Sequence, residues 1–190
     1  MNKNVPNILT TARVIAVPFF VFFFYKGSYI VAFIIFVLAS LTDMLDGRIA
    51  RKYNLVSNFG KFMDPLADKI LTYSAFCLFV EYKMIPAYFL IIVLFREFAV
   101  AGIRMLAAEK GKVIAADIFG KIKTLLQMIS IPLYLLVLAL PQTGLIPAGR
   151  EGIGTIIGSA AYWLMVASIV MTVVSGYNYI AKNIGVLKDE

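Results

Sequence analysis

Four aspartates in the first half of the chain have the type and spacing of a metal-binding cluster. Asp43 and Asp46 are three residues apart. Asp64 and Asp68 are four apart, so on helices the two carboxylates of each pair share one face. The two pairs mirror each other about residues 54–57. If that segment is a turn between antiparallel helices, the four carboxylates converge, which is costly unless cations are bound there.

The available ligand types point to hard metal ions and to chemistry at phosphorus. The chain has no histidine and one cysteine, Cys77, in an apolar run, so neither a disulfide nor an imidazole or thiolate site is expected. Carboxylate oxygens select Mg²⁺, Mn²⁺ or Ca²⁺. Two such ions form a clamp for in-line displacement at phosphorus, and one carboxylate can take the proton of an incoming hydroxyl. Gly47 leaves a gap for a flat ligand, and Arg51 can reach a phosphate.

The elements that must position these residues are membrane helices. The chain is 61% hydrophobic and 15% charged, which is not a soluble composition. Several apolar runs are shorter than the roughly 20 residues that span a bilayer, so the helices extend into polar flanks that form a site at one membrane face. We predict an all-α polytopic protein with six transmembrane helices in one domain, 1–190. The apolar runs are residues 14–25, 29–41, 70–80, 85–95, 125–140 and 153–174.

The boundaries of the site-bearing helices follow from the same pattern. We expect the second helix over residues 29–52, the third over 58–80, the fourth over 85–108 and the sixth over 152–182. The segment 141–158, rich in glycine and proline, is interpreted as an external loop. The sixth helix has no charged interior residue, and we assign it a packing role only.

The start of the chain is predicted to form an amphipathic segment at the membrane surface. Asn4 is a candidate N-cap, and Pro6 falls in the first helical turn. Asn7, Thr10 and Arg13 recur every three residues. This polar stripe is either an interfacial anchor or a contact for a ligand. The following apolar run has no small-residue cleavage pattern, so we expect the first helix to be retained.

The charge distribution predicts the orientation. With six spans, most of the 18 basic residues of this +7 chain fall on the side that carries both termini and the aspartates. The positive-inside rule places that side of the membrane towards the cytoplasm. Lys26, Lys83 and Arg150 fall on the other side, and Arg96 lies within a span. For about half of the lysines, the alternative to a functional role is a topology signal with attraction to anionic lipid, and we expect no nucleic-acid partner.

Further charged residues lie on the later helices. Arg96 precedes Glu97, and Arg104 follows eight residues later on the same helical face. The intramembrane charges favour a functional role, although a structural ion pair is the alternative. Lys121 and Lys123 offer charges suited to phosphate, and Gly120 leaves the backbone open to a ligand. The alternative for this basic stretch is a flexible loop with snorkelling lysines.

The aspartate region resembles the signature of the CDP-alcohol phosphatidyltransferases at all eight of its fixed positions. The resemblance implies a six-helix, homodimeric enzyme whose active site lies at the cytoplasmic side of helices 2 and 3. It also implies two divalent cations, Mg²⁺ or Mn²⁺, on the diphosphate of CDP-diacylglycerol. The matching residues are Asp43, Asp46, Gly47, Ala50, Arg51, Gly60, Asp64 and Asp68.

The resemblance assigns a role to each matching position. The metal ligands would be Asp43, Asp46, Asp64 and Asp68. Asp68 would also be the general base that deprotonates the acceptor hydroxyl, which attacks the lipid-side phosphorus and releases CMP. The residues expected to bind the CDP-lipid are Asn7, Thr10, Gly47, Ala50, Arg51, Gly60 and Lys61.

Shorter motifs bear on the acceptor alcohol. Residues 6–13, 95–98, 102–104 and 120–124 resemble the family members that transfer the phosphatidyl group to sn-glycerol 3-phosphate. The residues expected to bind the acceptor phosphate are Arg104, Lys121, Lys123 and Arg96. Phosphatidylglycerol, which gives cardiolipin, and an inositol phosphate are the alternative acceptors within the family.

A cation transporter is the alternative from another class. Four aspartates could bind a transported ion, but a transport path requires polar residues through to the far side of the membrane. Residues 29–39 and 77–80, beyond the cluster, offer almost none. The sequence therefore favours a pocket open on one side.

Overall fold

A computed structural model of the chain describes the backbone of residues 5–53, 58–112, 114–115, 117–144 and 152–186. Within those ranges, side chains are described for all residues except 5–9, 43–62, 64–65, 68 and 186.

Six α-helices form the described part of the chain, which contains no strand. The all-α prediction is confirmed, and the predicted helix bounds agree with the observed ones to within two residues at each end. Pro6 lies in the first turn of α1 as predicted, whereas Asn4 falls outside the described residues. The helices are α1 (Val5–Tyr25), α2 (Tyr29–Tyr53), α3 (Asn58–Glu81), α4 (Ala87–Glu109), α5 (Ile118–Ala139) and α6 (Gly152–Asn183), with short 3₁₀ helices at Leu140–Thr143 and Ile184–Val186.

Residues 152–158 were assigned both to the predicted external loop, 141–158, and to the predicted sixth helix, and the structure places them in the helix. A 3₁₀ helix occupies Leu140–Thr143 and ends at Gly144, whose φ of 64° lies in the left-handed region that favours glycine. The last long helix, α6, then begins at Gly152, so Gly154 and Gly158 are helical. Glycine is more frequent in membrane helices than in soluble ones, and the composition of this segment was therefore a misleading loop signal.

Helix packing places an aromatic core beyond the aspartate-bearing ends of α2 and α3. α1 packs against α2 and α3, α2 against α5, and α6 against both α4 and α5. Along α3 the chain passes from Asp68 towards the core residues, and along α2 it passes from the core towards Asp43. The core side chains that are fully shielded from solvent include Phe20, Phe24, Phe36, Phe76 and Phe79.

The surface of α1 is inverted relative to that of a soluble helix. Thr10 and Arg13 are only 1% and 2% exposed, whereas Phe19 and Phe22 are each 54% exposed. Polar residues inside and large apolar residues outside fit a helix surrounded by lipid. The N-terminal segment is continuous with α1, and the burial of Thr10 and Arg13 argues against an interfacial anchor at those two positions.

Two described helical segments are long and apolar enough to cross a membrane, namely Ile118–Thr143 and Gly152–Asn183. Shorter apolar helices cover Thr10–Tyr25 and Tyr29–Thr42. Together with the exposed apolar side chains, these segments fit a membrane protein.

Hydrogen bonds tie the end of the bundle that lies away from the aspartates. The Tyr25 hydroxyl donates to the Glu81 Oε2 at 2.5 Å, which joins α1 to α3. The side chain of Gln142 donates to the Gly27 carbonyl oxygen and accepts from the Ile30 backbone N–H at 3.3 Å. The turn between α1 and α2 is therefore fixed to the 3₁₀ helix after α5.

Candidate active site

The backbones of α2 and α3 carry the four aspartates as the sequence predicted. Asp43 and Asp46 lie in the second half of α2, and Asp64 and Asp68 lie in the first half of α3. Each pair therefore has the helical spacing that puts two carboxylates on one face. The side chains of all four, and the proposed turn at residues 54–57, lie outside the described residues.

A cavity of about 850 Å³ adjoins these helices. On α2 its wall includes Ser40, one turn before Asp43, and on α3 it includes Thr72, one turn after Asp68. Leu41 and Lys69 also line it, so the cavity begins within two residues of the aspartate-bearing positions. The charged residues in its wall are Lys69, Arg96, Glu97, Arg104, Asp117, Lys121 and Lys123.

Glu97 on α4 is the centre of an ion-pair network inside this cavity. Its Oε1 accepts hydrogen bonds from the Arg96 Nη1, at 2.7 Å, and from the Lys123 ammonium. Its Oε2 lies 3.3 Å from the Lys69 Nζ. The Lys123 side chain is only 5% exposed, whereas that of Lys69 is 41% exposed. A buried ammonium requires a partner of this kind, so Glu97 fixes Lys123 while Lys69 keeps an open side towards solvent.

Arg96 is held between α5 and α6. Its Nη2 donates to the Ser175 Oγ at 2.7 Å. A Cβ on Gly120 would lie 2.7 Å from the same Nη2, and a Cβ on Gly176 would lie 3.2 Å from the Arg96 Cγ. The two glycines make room for this arginine. Arg96 fills the space that a side chain at position 120 would take, while Gly120 itself lines the cavity, so the approach of a ligand to its backbone stays a prediction.

Arg104 and Lys121 present less restrained charges to the same cavity. The Arg104 Nε donates to the Tyr179 hydroxyl at 3.1 Å, and its guanidinium lies 5.6 Å from the centroid of that ring. Lys121 is exposed, and neither residue has an acidic partner among the described side chains. The described charges of the cavity, five basic and two acidic, suit an anionic ligand.

The structure therefore brings together all four residues predicted to bind the acceptor phosphate. Arg96, Arg104, Lys121 and Lys123 line one cavity, and their roles stay predictions. Lys69 was not among the predicted site residues, and α6 was expected only to pack, although Ser175 and Tyr179 of α6 hold the two arginines. The polar positions of α6 at residues 172, 175 and 179 recur at helical spacing, a signal that could have revealed this face.

The structure describes the side chain of only one of the seven predicted CDP-lipid contacts. Thr10 is buried on α1. For the other six, the structure gives only the helix on which each residue lies, and their side chains are outside the described part. Asn7 is on α1, Gly47, Ala50 and Arg51 are on α2, and Gly60 and Lys61 are on α3.

The donor set fits hard divalent cations. Among the side chains that the structure describes, no group of three His, Cys, Asp or Glu residues could hold a metal ion. The four aspartates on α2 and α3 lie outside that set, and they offer only oxygen ligands. Oxygen-only ligands on two adjacent helices fit Mg²⁺ or Mn²⁺ and do not fit a site built for zinc.

Comparison with known families defines the class of this protein. The model of the CDP-alcohol phosphatidyltransferase family matches residues 3–182, and the chain belongs to this family. It is therefore an enzyme of the class that transfers a phosphatidyl group from a CDP-linked lipid to an alcohol. The cation-transporter alternative is set aside by this membership.

Individual relatives match over most of their length. The chain is 38% identical to the CDP-diacylglycerol–glycerol-3-phosphate 3-phosphatidyltransferase of Bacillus subtilis, with 97% of each chain covered. It is 35% identical to the protein of the same name from Rickettsia felis, with 94% of each chain covered. It is also 35% identical to a protein of Mycobacterium tuberculosis named "Probable phosphatidylglycerophosphate synthase", over 94% of this chain and 81% of the relative.

Proposed function

We propose that this enzyme is a phosphatidylglycerophosphate synthase. It transfers the phosphatidyl group of CDP-diacylglycerol to sn-glycerol 3-phosphate and releases CMP. The relatives named for this reaction, over nearly their full length, support the proposal. The observation that carries it is the basic cavity whose wall includes Lys69, the residue next to Asp68.

The aspartates of α2 and α3 bind the CDP-lipid substrate through divalent cations. Asp43, Asp46, Asp64 and Asp68 bind two divalent cations, Mg²⁺ or Mn²⁺, which when bound neutralise the diphosphate and stabilise the departing CMP. Gly47 and Ala50 flank the cytidine, and Arg51 holds the diphosphate. The remaining CDP-lipid contacts are Asn7, Thr10, Gly60 and Lys61.

Asp68 performs the proton transfer. Its carboxylate takes the proton of the acceptor hydroxyl, whose oxygen then forms a bond to the lipid-side phosphorus while the bond from that phosphorus to CMP breaks. The position of Asp68 supports this role, because the next residue, Lys69, and Thr72, one turn further along α3, both line the cavity. An acceptor in the cavity is therefore next to the base.

The acceptor phosphate binds to the less restrained cations of the cavity. Arg104 and Lys121 have no described acidic partner, and Lys69 is 41% exposed beside Glu97. Lys123 and Arg96 are paired with Glu97, and they add positive potential behind the phosphate. An uncharged alcohol would leave Arg104 and Lys121 without a counterion among the described residues, which costs free energy inside a membrane protein.

A purified-enzyme assay tests the proposal. The protein is incubated with Mn²⁺ or Mg²⁺ and CDP-diacylglycerol, and separately with glycerol 3-phosphate, phosphatidylglycerol or an inositol phosphate, while CMP release and lipid products are measured. We expect phosphatidylglycerophosphate with the first acceptor and no turnover after chelation of the metal. Product with phosphatidylglycerol and none with glycerol 3-phosphate would overturn the proposed acceptor.

The proposed assembly places this reaction at the cytoplasmic face of a bacterial plasma membrane. All six helices cross the bilayer, both termini and the cavity face the cytoplasm, and the enzyme is a homodimer. The surplus of basic residues on the aspartate side supports the orientation. Cysteine labelling tests the orientation. Cys77 is first replaced, and single cysteines are then introduced on each predicted side of the membrane. A membrane-impermeant reagent applied to intact cells should label only the cysteines on the external side.

A further inference from the structure

Gln127 on α5 lies in the cavity wall, and its side-chain amide nitrogen is unpaired among the described residues. Its side chain is 3% exposed, and its Nε2 has no hydrogen-bond partner in the part of the chain that the structure describes. Leaving a buried amide without a partner costs about 1–3 kcal/mol. An apolar side chain of similar size would fill the same space without that cost, so packing alone does not explain a glutamine here.

Three neighbouring buried hydroxyl groups, unlike the Gln127 amide nitrogen, have hydrogen-bond partners. Ser130, one turn deeper on α5, donates to the Ala161 carbonyl oxygen of α6 at 2.8 Å. Ser168 and Thr172 on α6 each donate to a carbonyl oxygen of their own helix at 2.7 Å. None of these three lines the cavity. The Tyr134 hydroxyl, deeper on α5 and outside the cavity wall, also lacks a partner among the described residues, so the case for Gln127 rests on its position in the cavity wall.

A second unused donor lies on the facing helix. The Ser40 Oγ on α2 is buried and has no partner among the described residues, and Ser40 also lines the cavity. Since α2 packs against α5, the two groups border the same space. Neither is charged, and Gln127 lies one turn deeper than Lys123. The cavity thus passes from a cationic region to a neutral region with unused hydrogen-bonding capacity.

We infer that Gln127, together with Ser40, binds the hydroxyl group of the acceptor that stays free in the product. This inference rests on the proposed function, since glycerol 3-phosphate offers a phosphate, a reacting primary hydroxyl and one further hydroxyl. The cations hold the phosphate, Asp68 is next to the reacting hydroxyl, and the neutral region takes the third group. An amide can both donate to and accept from a hydroxyl, so this contact makes Gln127 a specificity residue.

The test compares two acceptors that differ only in that hydroxyl. 3-Hydroxypropyl phosphate keeps the phosphate and the primary hydroxyl of glycerol 3-phosphate and lacks the other hydroxyl. We expect the unaltered enzyme to prefer glycerol 3-phosphate by about tenfold in kcat/KM, because a site built to bond a hydroxyl rejects the analogue without it. Gln127→Met, which keeps the size of the side chain, should reduce this preference to about threefold or less.

Thr124→Val is the matched control. Thr124 lines the same cavity on α5, but its hydroxyl already donates to the Gly120 carbonyl oxygen at 3.0 Å, so the preference should persist. The ratio is measured within one preparation, which makes it independent of the fraction of folded enzyme. If Gln127→Met is inactive with both acceptors, Gln127→Asn, whose amide is withdrawn by one methylene, replaces it.

The outcomes separate the two proposals. Absence of transfer to glycerol 3-phosphate by the unaltered enzyme would overturn the proposed function and this inference with it. Normal transfer with no preference between the acceptors, or an unchanged preference in the Gln127 variant, would overturn the inference alone.

Discussion

The Nη2 of Arg96 on α4 lies 2.7 Å from the position that a Cβ on Gly120 of α5 would occupy. The same nitrogen donates to Ser175 on α6, so the guanidinium cannot retreat without losing a hydrogen bond. Three helices thus meet around one arginine side chain. This contact explains why a residue without a side chain stands at position 120.

Gly120→Ala should therefore displace Arg96. We expect a loss of about 0.5–1.5 kcal/mol in the free energy of unfolding, because the flexible end of Arg96 can move but loses its hydrogen bond to Ser175, and a raised KM for glycerol 3-phosphate. Thermal unfolding in detergent and steady-state kinetics measure the two effects. Gly102→Ala on α4 is the control, because nothing lies within 4 Å of its Cβ position. Equal behaviour of the two variants would contradict the assigned role of Gly120.

Removal of the Glu97 carboxylate should destabilise the protein through Lys123. Glu97→Gln leaves a nearly buried ammonium without a counterion, and loss of one member of a buried pair costs about 3–5 kcal/mol. The double variant Glu97→Gln with Lys123→Met should recover part of that stability, since the buried ammonium is gone, although Arg96, which still donates to Ser175, has lost its carboxylate partner. Thermal unfolding of the single and double variants measures the coupling. Additive losses would show that the two side chains do not act as a pair.

Arg104→Ala should weaken acceptor binding and leave the CDP-lipid site intact. Loss of a charge-assisted hydrogen bond to phosphate predicts a KM for glycerol 3-phosphate that is about 10- to 100-fold higher, with an unchanged KM for CDP-diacylglycerol. Tyr179→Phe, which removes only the hydroxyl that accepts from Arg104 at 3.1 Å, should give a smaller rise in the same direction. An unaltered acceptor KM in Arg104→Ala would remove this residue from the phosphate site.

Asp68→Asn should abolish turnover while retaining some CDP-lipid binding. The amide has no lone pair with the basicity to take a proton, so kcat should fall by about 10²- to 10⁴-fold. Three aspartates are left to hold the cations, and residual binding of CDP-diacylglycerol is measured by equilibrium dialysis in detergent. Near-normal turnover would refute the assignment of Asp68 as the base.

The helices were predictable because the bilayer imposes long apolar runs that end at polar flanks. The ends of α2 and α6 were predicted to within one residue. The spacing of Arg96 and Arg104 correctly placed both on one face. These features depend on helical periodicity alone, which is visible in a single segment.

The partners of charged residues were less predictable, because they join segments that are distant in sequence. Glu97 and Lys123 are 26 residues apart, and Arg96 and Ser175 are 79 apart. The local sequence does not show whether the space beside a glycine is filled by a ligand or by an arginine from another helix. Ser175 and Tyr179 carry no charge, and they were therefore counted as packing residues.

The helix that holds both arginines is not itself part of the cavity wall. Among the described lining residues none belongs to α6, yet Ser175 and Tyr179 set the positions of Arg96 and Arg104. Substitutions on α6 can therefore alter the choice of acceptor indirectly, by moving the two arginines, while the helices that carry the aspartates keep their sequence. Natural or directed evolution can change the substrate range in this way and leave the catalytic chemistry untouched.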